Sequence, residues 1–97
     1  MSILVIADLN LKPERLEDFT VFMENYLPHT RGYDGCNELT IHKNQDDPTN
    51  LVIVEDWDSR QIYEKYLVWR TERGDMEKLG PFFTGEPTIR YYDKVDV

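Results

Sequence analysis

Two stretches of the chain, Ile3-Leu4-Val5-Ile6-Ala7-Asp8-Leu9 and Leu51-Val52-Ile53-Val54-Glu55-Asp56-Trp57, place large apolar side chains at both odd and even positions. Successive residues of a strand point to opposite faces. Strands of this kind are therefore stable only where both faces of their sheet are covered. Leu4, Ile6, Val52 and Val54 form one apolar set, and Ile3, Val5, Leu51 and Ile53 form the other. This double demand limits the fold more than any other feature of the sequence.

The segments between the strands supply one cover. Pro13 sits where a helix can begin without losing a hydrogen bond, and Glu14 and Glu17 lie near the positive end of its dipole. Leu16, Phe19, Met23, Tyr26 and Leu27 follow at spacings of three and four, the stripe of a helix with one buried side. Pro28, Gly32 and Gly35 mark its expected end. A second helix is expected after Asp58, which is placed to cap it with Gln61 three residues on. Its stripe is broad and aromatic: Ile62, Tyr63, Tyr66, Leu67, Trp69 and Arg70. Gly74 interrupts it, and a short helical stretch from Asp75 to Leu79 precedes Gly80-Pro81.

Cys36 to Lys43 alternates, with Leu39 and Ile41 opposite Glu38, Thr40 and His42. The apolar-free turn segment Asn44 to Asn50 joins it to the strand from Leu51 to Trp57, which predicts an antiparallel hairpin. Thr88 to Val95 reads as a last strand. The order β-α-β-β-α-β predicts an α+β, ferredoxin-like split fold, with a four-stranded antiparallel sheet and both helices on one face. The other face would expose an apolar patch larger than a monomer usually tolerates. A twofold copy of the same chain is the expected cover, giving a homodimer packed sheet to sheet.

The chain has 97 residues, which suits one domain spanning 1–97. Its 19 Asp and Glu against 11 Lys and Arg leave a net charge of −8, which argues against a nucleic-acid groove or an anionic-membrane patch. No apolar run approaches the roughly 20 residues of a membrane span. The first residues lack the basic start of a signal peptide, so a cytoplasmic location is expected. The single cysteine, Cys36, cannot form an internal disulfide. Cys36 with His29 and His42 matches no compact metal-ligand spacing, so no metal is expected. Neither Ser2 nor Ser59 lies in a Gly-flanked nucleophile elbow, and no Gly-rich loop follows a strand to cradle phosphate.

Two groups of residues could carry chemistry. His42 follows Glu38 by four positions on one strand face, where an imidazole could shuttle a proton or simply be solvated. Glu55 and Asp56 are adjacent, so their side chains point to opposite faces and cannot work as a paired acid and base. Trp57, Tyr63, Tyr66, Trp69 and Arg70 supply rings, phenolic tips and one guanidinium near one end of the sheet. Such a group suits either a filled core or a hollow for a flat aromatic ligand. In the second case Arg70 could stabilise a developing phenolate or enolate.

Ile6-Ala7-Asp8-Leu9 through Lys12-Pro13, Gly35-Cys36, Asp46-Asp47-Pro48 and Val54-Glu55-Asp56-Trp57 leading into Asp58 together resemble the antibiotic biosynthesis monooxygenase family of small dimeric α+β-barrel proteins. The resemblance covers nearly the whole chain. It implies a cofactor-independent oxygenase acting on a phenol- or quinol-like molecule, and it suggests Trp57 as the indole lining the pocket. Many relatives carry a histidine where this chain has Tyr66, and another near Thr71. The haem-degrading members need an asparagine where Leu9 stands, together with an axial histidine, so haem degradation is not expected.

The expected site therefore has His42, Tyr66 and Arg70 as catalytic residues and Trp57, Tyr63 and Trp69 as substrate-binding residues, with no cofactor. The alternatives are a non-catalytic, small-molecule-binding dimer of the same fold and an oxygen-independent isomerase of the related muconolactone type.

Overall fold

The computed structural model describes residues 2–97, so Met1 of the expected 1–97 domain lies outside the described residues. Strand β1 (Ile3–Asn10) leads through a 3-10 turn at Pro13–Arg15 into helix α1 (Leu16–Arg31). Strands β2 (Cys36–Lys43) and β3 (Asn50–Trp57) form the hairpin, and helices α2 (Arg60–Glu72) and α3 (Asp75–Leu79) follow. A 3-10 turn at Gly80–Phe82 then precedes β4 (Thr88–Tyr92). The sheet runs β2-β3-β1-β4 with every neighbouring pair antiparallel, as the element order predicts.

Register settles which parity faces the helices. Val5 lies opposite Glu55 and Tyr91, Ala7 opposite Ile53 and Ile89, and Leu9 opposite Leu51. Val5, Ala7 and Leu9 are buried, whereas Leu4 is 37% exposed. One end of the interior mixes aliphatic and phenyl side chains, with Phe19, Met23, Leu27, Leu79 and Phe82 packed over Ala7 and Leu9. The other end is aromatic, built from Trp57, Tyr63 and Tyr66 on Val5. Each large apolar side chain so buried contributes about 1.5–3 kcal/mol.

The opposite face carries Leu4, Ile6, Val52 and Val54, with Arg90 opposite Ile6 and Tyr92 opposite Leu4. No element of the described residues packs on it.

Three local details differ from the sequence reading. Helix α1 runs through Pro28, the first of its expected end markers, and stops at Arg31, with the second marker, Gly32, as its C-cap. Proline removes the hydrogen bond to the carbonyl four residues earlier, that of Glu24. Pro28 and Glu24 both lie on the exposed side, where water can serve that carbonyl. Helix α2 is capped by Ser59 rather than Asp58: the Ser59 hydroxyl accepts from the Ile62 amide at 3.2 Å. Asp58 instead accepts from Asn37 Nδ2 at 2.9 Å, next to the irregularity that Asn37 introduces into β2. Strand β4 ends at Tyr92 rather than Val95, because Tyr92 already pairs with Leu4, near the start of β1.

Candidate active site

A cavity of about 230 Å³ lies between the sheet and the helices. Ala7, Leu9, Leu39, Ile53 and Ile89 form its floor, and Met23, Leu27, Leu67, Met76 and Leu79 form its roof. Gly80 and Pro87, the exposed lining residues, mark its mouth. Its polar atoms come from five side chains: Glu55 on the sheet, Tyr26 and Thr30 on α1, and Tyr63 and Tyr66 on α2.

Glu55 is the only ionisable carboxyl in this lining, and it is 4% exposed. Burial pushes its carboxyl up to about 7, and the hydrogen bond from Trp57 partly offsets the rise. The Trp57 indole Nε1 donates to Oε1 at 3.1 Å. Among the described residues no donor reaches Oε2. A carboxyl that changes charge near neutral pH inside an apolar hollow can take a proton from a ligand and return it.

The helix wall carries a second polar group. Arg70, 1% exposed, donates from Nε to the Tyr66 phenol oxygen at 2.8 Å and from Nη1 to Asp75 Oδ2 at 2.9 Å. Its Nη2 donates to the Tyr26 carbonyl at 2.8 Å and to Thr30 Oγ1 at 2.7 Å. The guanidinium also lies 3.7 Å from the Tyr26 ring centroid. Burial pulls Asp75 upward, but hydrogen bonds from Arg70 and Arg73 outweigh it and hold the carboxyl below its usual range. Burial drives Tyr26, Tyr63 and Tyr66 the other way, so all three phenols stay protonated.

Of the residues expected from sequence, Tyr63 and Tyr66 line the cavity. Arg70 stands behind Tyr66 and binds no part of the lining except Tyr66, Tyr26 and Thr30. Trp57 is fully buried behind Glu55, with its ring 5.0 Å from Tyr66 and 5.3 Å from Tyr63, and it is not part of the wall. Trp69 is half-buried and packs on Tyr33, also away from the cavity.

His42 does not join the group. It lies exposed on the edge strand β2, opposite Val52 on the bare side of the sheet, and its Nε2 is 2.9 Å from Thr40 Oγ1. Four residues along an extended strand span roughly 13 Å, so Glu38 is not its partner.

Glu55, Thr30 and Tyr26 are the site residues that the sequence reading missed, Tyr26 having been assigned only to the buried stripe of α1. Glu55 shares the parity of Leu51, Ile53 and Trp57, which would have placed it on the helix-covered face. Thr30 is polar and lies beyond Leu27, the last residue of the apolar stripe that marks the buried side of α1. Among the described residues no group of three or more His, Cys, Asp or Glu side chains converges as a metal site would require. Among the described residues no helix is long and apolar enough to cross a membrane.

No curated protein matches the chain. Among solved structures, a conserved protein from Methanosarcina mazei Go1 superposes with a TM-score of 0.87 at 20% identity, covering 98% of this chain and 94% of that one. A structure described as an antibiotic biosynthesis monooxygenase gives 0.85 at 20% identity, over 97% of this chain and 99% of its own. The Rv0793 protein of Mycobacterium tuberculosis gives 0.84 at 18% identity, over 100% and 98%. At these identities the likeness establishes the shared fold. The family model described as antibiotic biosynthesis monooxygenase matches residues 2–68, more than half of the sequence. The chain belongs to the antibiotic biosynthesis monooxygenase family.

Proposed function

We propose that this protein is a monooxygenase that oxidises a phenol- or quinol-like aromatic with dioxygen, using Glu55 as the base. The observation that carries the proposal is one buried carboxyl, raised to about 7, in the wall of an otherwise apolar hollow. Family membership supports the reaction class.

In this scheme the ligand O–H bond breaks and its proton moves to Glu55, leaving a phenolate. The electron-rich ring gives an electron to dioxygen, the resulting pair combines to form a carbon–oxygen bond, and the peroxide oxygen takes the proton back from Glu55, restoring the carboxylate. The ring hydroperoxide then loses its ring C–H proton as its O–O bond breaks. One oxygen atom stays as a quinone carbonyl and the other leaves as water. All the electrons come from the substrate, so the scheme requires no bound cofactor. The apolar lining favours the neutral reactants and keeps water from the intermediates.

The bare sheet face supports a second part of the proposal, that the working unit is a homodimer packed through Leu4, Ile6, Val52 and Val54. The test of function is oxygen uptake by the purified protein with a panel of phenols and hydroquinones, repeated with Glu55→Gln. Uptake above buffer that collapses in the variant supports the proposal; no uptake with any compound overturns it.

A second reading keeps the hollow and drops the chemistry, as a binding module of the same fold. The position of His42 outside the cavity favours it, because Glu55 is then the only group near the ligand that titrates around neutrality. An aromatic ligand that raises the melting temperature without consuming oxygen would identify that case.

A further inference from the structure

We infer that the Tyr66 and Thr30 hydroxyls, locked in place by the Arg70 guanidinium, form an anion-binding donor that holds the deprotonated oxygen of a one-ring phenol or enol in the cavity. This deepens the oxygenase reading and rests on the cavity being the site.

Counting hydrogens carries the argument. Tyr66 Oη and Thr30 Oγ1 are 2.6 Å apart, and each also accepts an N–H from Arg70, at 2.8 and 2.7 Å. The pair shares one hydroxyl hydrogen, whichever residue donates it. Arg70 offers only donors, so it cannot take the other. The Tyr26 phenol beside Tyr66 adds a third hydroxyl and a second contact, so three O–H groups serve two contacts and one O–H is left over; all three residues line the cavity, and only Tyr66 and Thr30 carry oxygens bonded by Arg70.

That O–H differs from an ordinary phenol or alcohol. The oxygens behind it receive hydrogen bonds from a buried cation, and such chains polarise one another in a low-dielectric interior. A donor of this kind binds an anionic oxygen better than a neutral one. Arg70 itself is a positioning residue: it joins α1, α2 and α3 through Thr30, Tyr66 and Asp75 without lining the hollow.

Size sets the ligand class. An apolar cavity of about 150 Å³ takes benzene, so about 230 Å³ takes one ring with small substituents. A fused three-ring skeleton, with more than double the ring carbons, would extend out through the mouth at Gly80 and Pro87. The ligand oxygen reaching the Tyr66–Thr30 pair is the one from which Glu55 removes a proton, or its conjugated partner across the ring.

The test uses 4-nitrophenol, whose phenolate absorbs at longer wavelength than the phenol, titrated with pH while bound to the full-length protein. The wild type is expected to raise the ionisation constant of the bound ligand about tenfold over the free compound. Tyr66→Phe and Thr30→Val each leave one Arg70-bonded hydroxyl and should keep part of that shift, the double variant should remove it while still binding the ligand, and Glu55→Gln should retain it. Bound ligand that ionises like the free compound, or a shift unchanged in the double variant, overturns the inference and reduces the network to a helix clamp. Oxygen uptake that still depends on Glu55 would then leave the oxygenase reading standing. Absence of both ligand binding and oxygen uptake would overturn the two together.

Discussion

Glu55 and Trp57 lie two residues apart on the same face of β3, and the buried indole Nε1 donates to the buried carboxyl at 3.1 Å. The indole thus fixes one carboxyl oxygen and stabilises its charged form, while the apolar surroundings work against that charge. The balance leaves Glu55 titrating at about 7.

Removing the indole donor should move that balance. Trp57→Phe keeps most of the ring packing but no longer hydrogen-bonds the carboxylate, so Glu55 should titrate higher than in the wild type. The rising limb of oxygen uptake against pH is expected to start near 7 and shift alkaline in the variant. A limb that stays in place would show that Trp57 does not tune the base.

Glu55 also makes stability depend on pH. Its folded value, about 7, lies above the ordinary 4.5. The folded state therefore holds the proton more tightly, and the benefit is complete at low pH and lost as pH rises through about 7. The full difference is roughly 3 kcal/mol at 1.36 kcal/mol for each pH unit. Glu55→Gln, which can still accept from Trp57, should match the wild type near pH 4 and melt higher than it at pH 8. Its activity should fall by about a hundredfold or more if the carboxylate is the base. Melting curves at both pH values check the first expectation, and initial rates check the second.

The bare sheet face makes a separate expectation. Ile6 pairs with Val54 and Arg90 in the middle of that face. Val54, opposite Ile6 and Thr40, has no charged cross-strand partner, so Val54→Glu would bury an unpaired charge at a sheet-to-sheet contact, while in a lone subunit it would only add a solvated carboxylate. Sedimentation at low micromolar concentration should show a dimer for the wild type and a monomer for the variant. A wild-type monomer would refute this mode of assembly.

Gly35 is fixed by backbone and by space. Its φ is +107°, and a Cβ there would lie 2.5 Å from Ile62 Cγ2 at the start of α2. Gly35→Ala should lower stability by about 1–3 kcal/mol through backbone strain alone, with the clash added. Ile62→Ala should relieve the clash and not the strain, so the double variant should recover only part of the loss in chemical denaturation. Full recovery would show that the backbone conformation costs nothing.

The element order, the hairpin and the two apolar parities were legible in the sequence because they follow from periodicity and turn signals, which are local. The site was legible only in part. Tyr63 and Tyr66 could be picked out because an aromatic stripe on α2 is visible in one dimension. Glu55 was not, because a carboxyl among apolar residues reads as a solvent-facing position until register places it beside Val5 and Trp57. Arg70 looked like a ligand-facing charge, yet its four partners come from α1, α2 and α3 and surround it. Pro28, Gly32 and Gly35 leave the last turn of α1 open between them, and the burial of Thr30 and its bonds to Arg70 and Tyr66 hold that turn in place. Contacts between residues thirty or forty positions apart decide such cases, and no local pattern records them.

Strand β3 presents Glu55 to the chamber and its chain neighbours Val54 and Asp56 to the outside. A slip of one position against β1 would turn the proton-carrying group outward and drive Asp56 into the greasy interior. The length of the Asn44–Thr49 connection thus governs more than hairpin shape. Adding or deleting a single residue there threatens to disarm the chamber and spoil the outer mating surface in the same stroke.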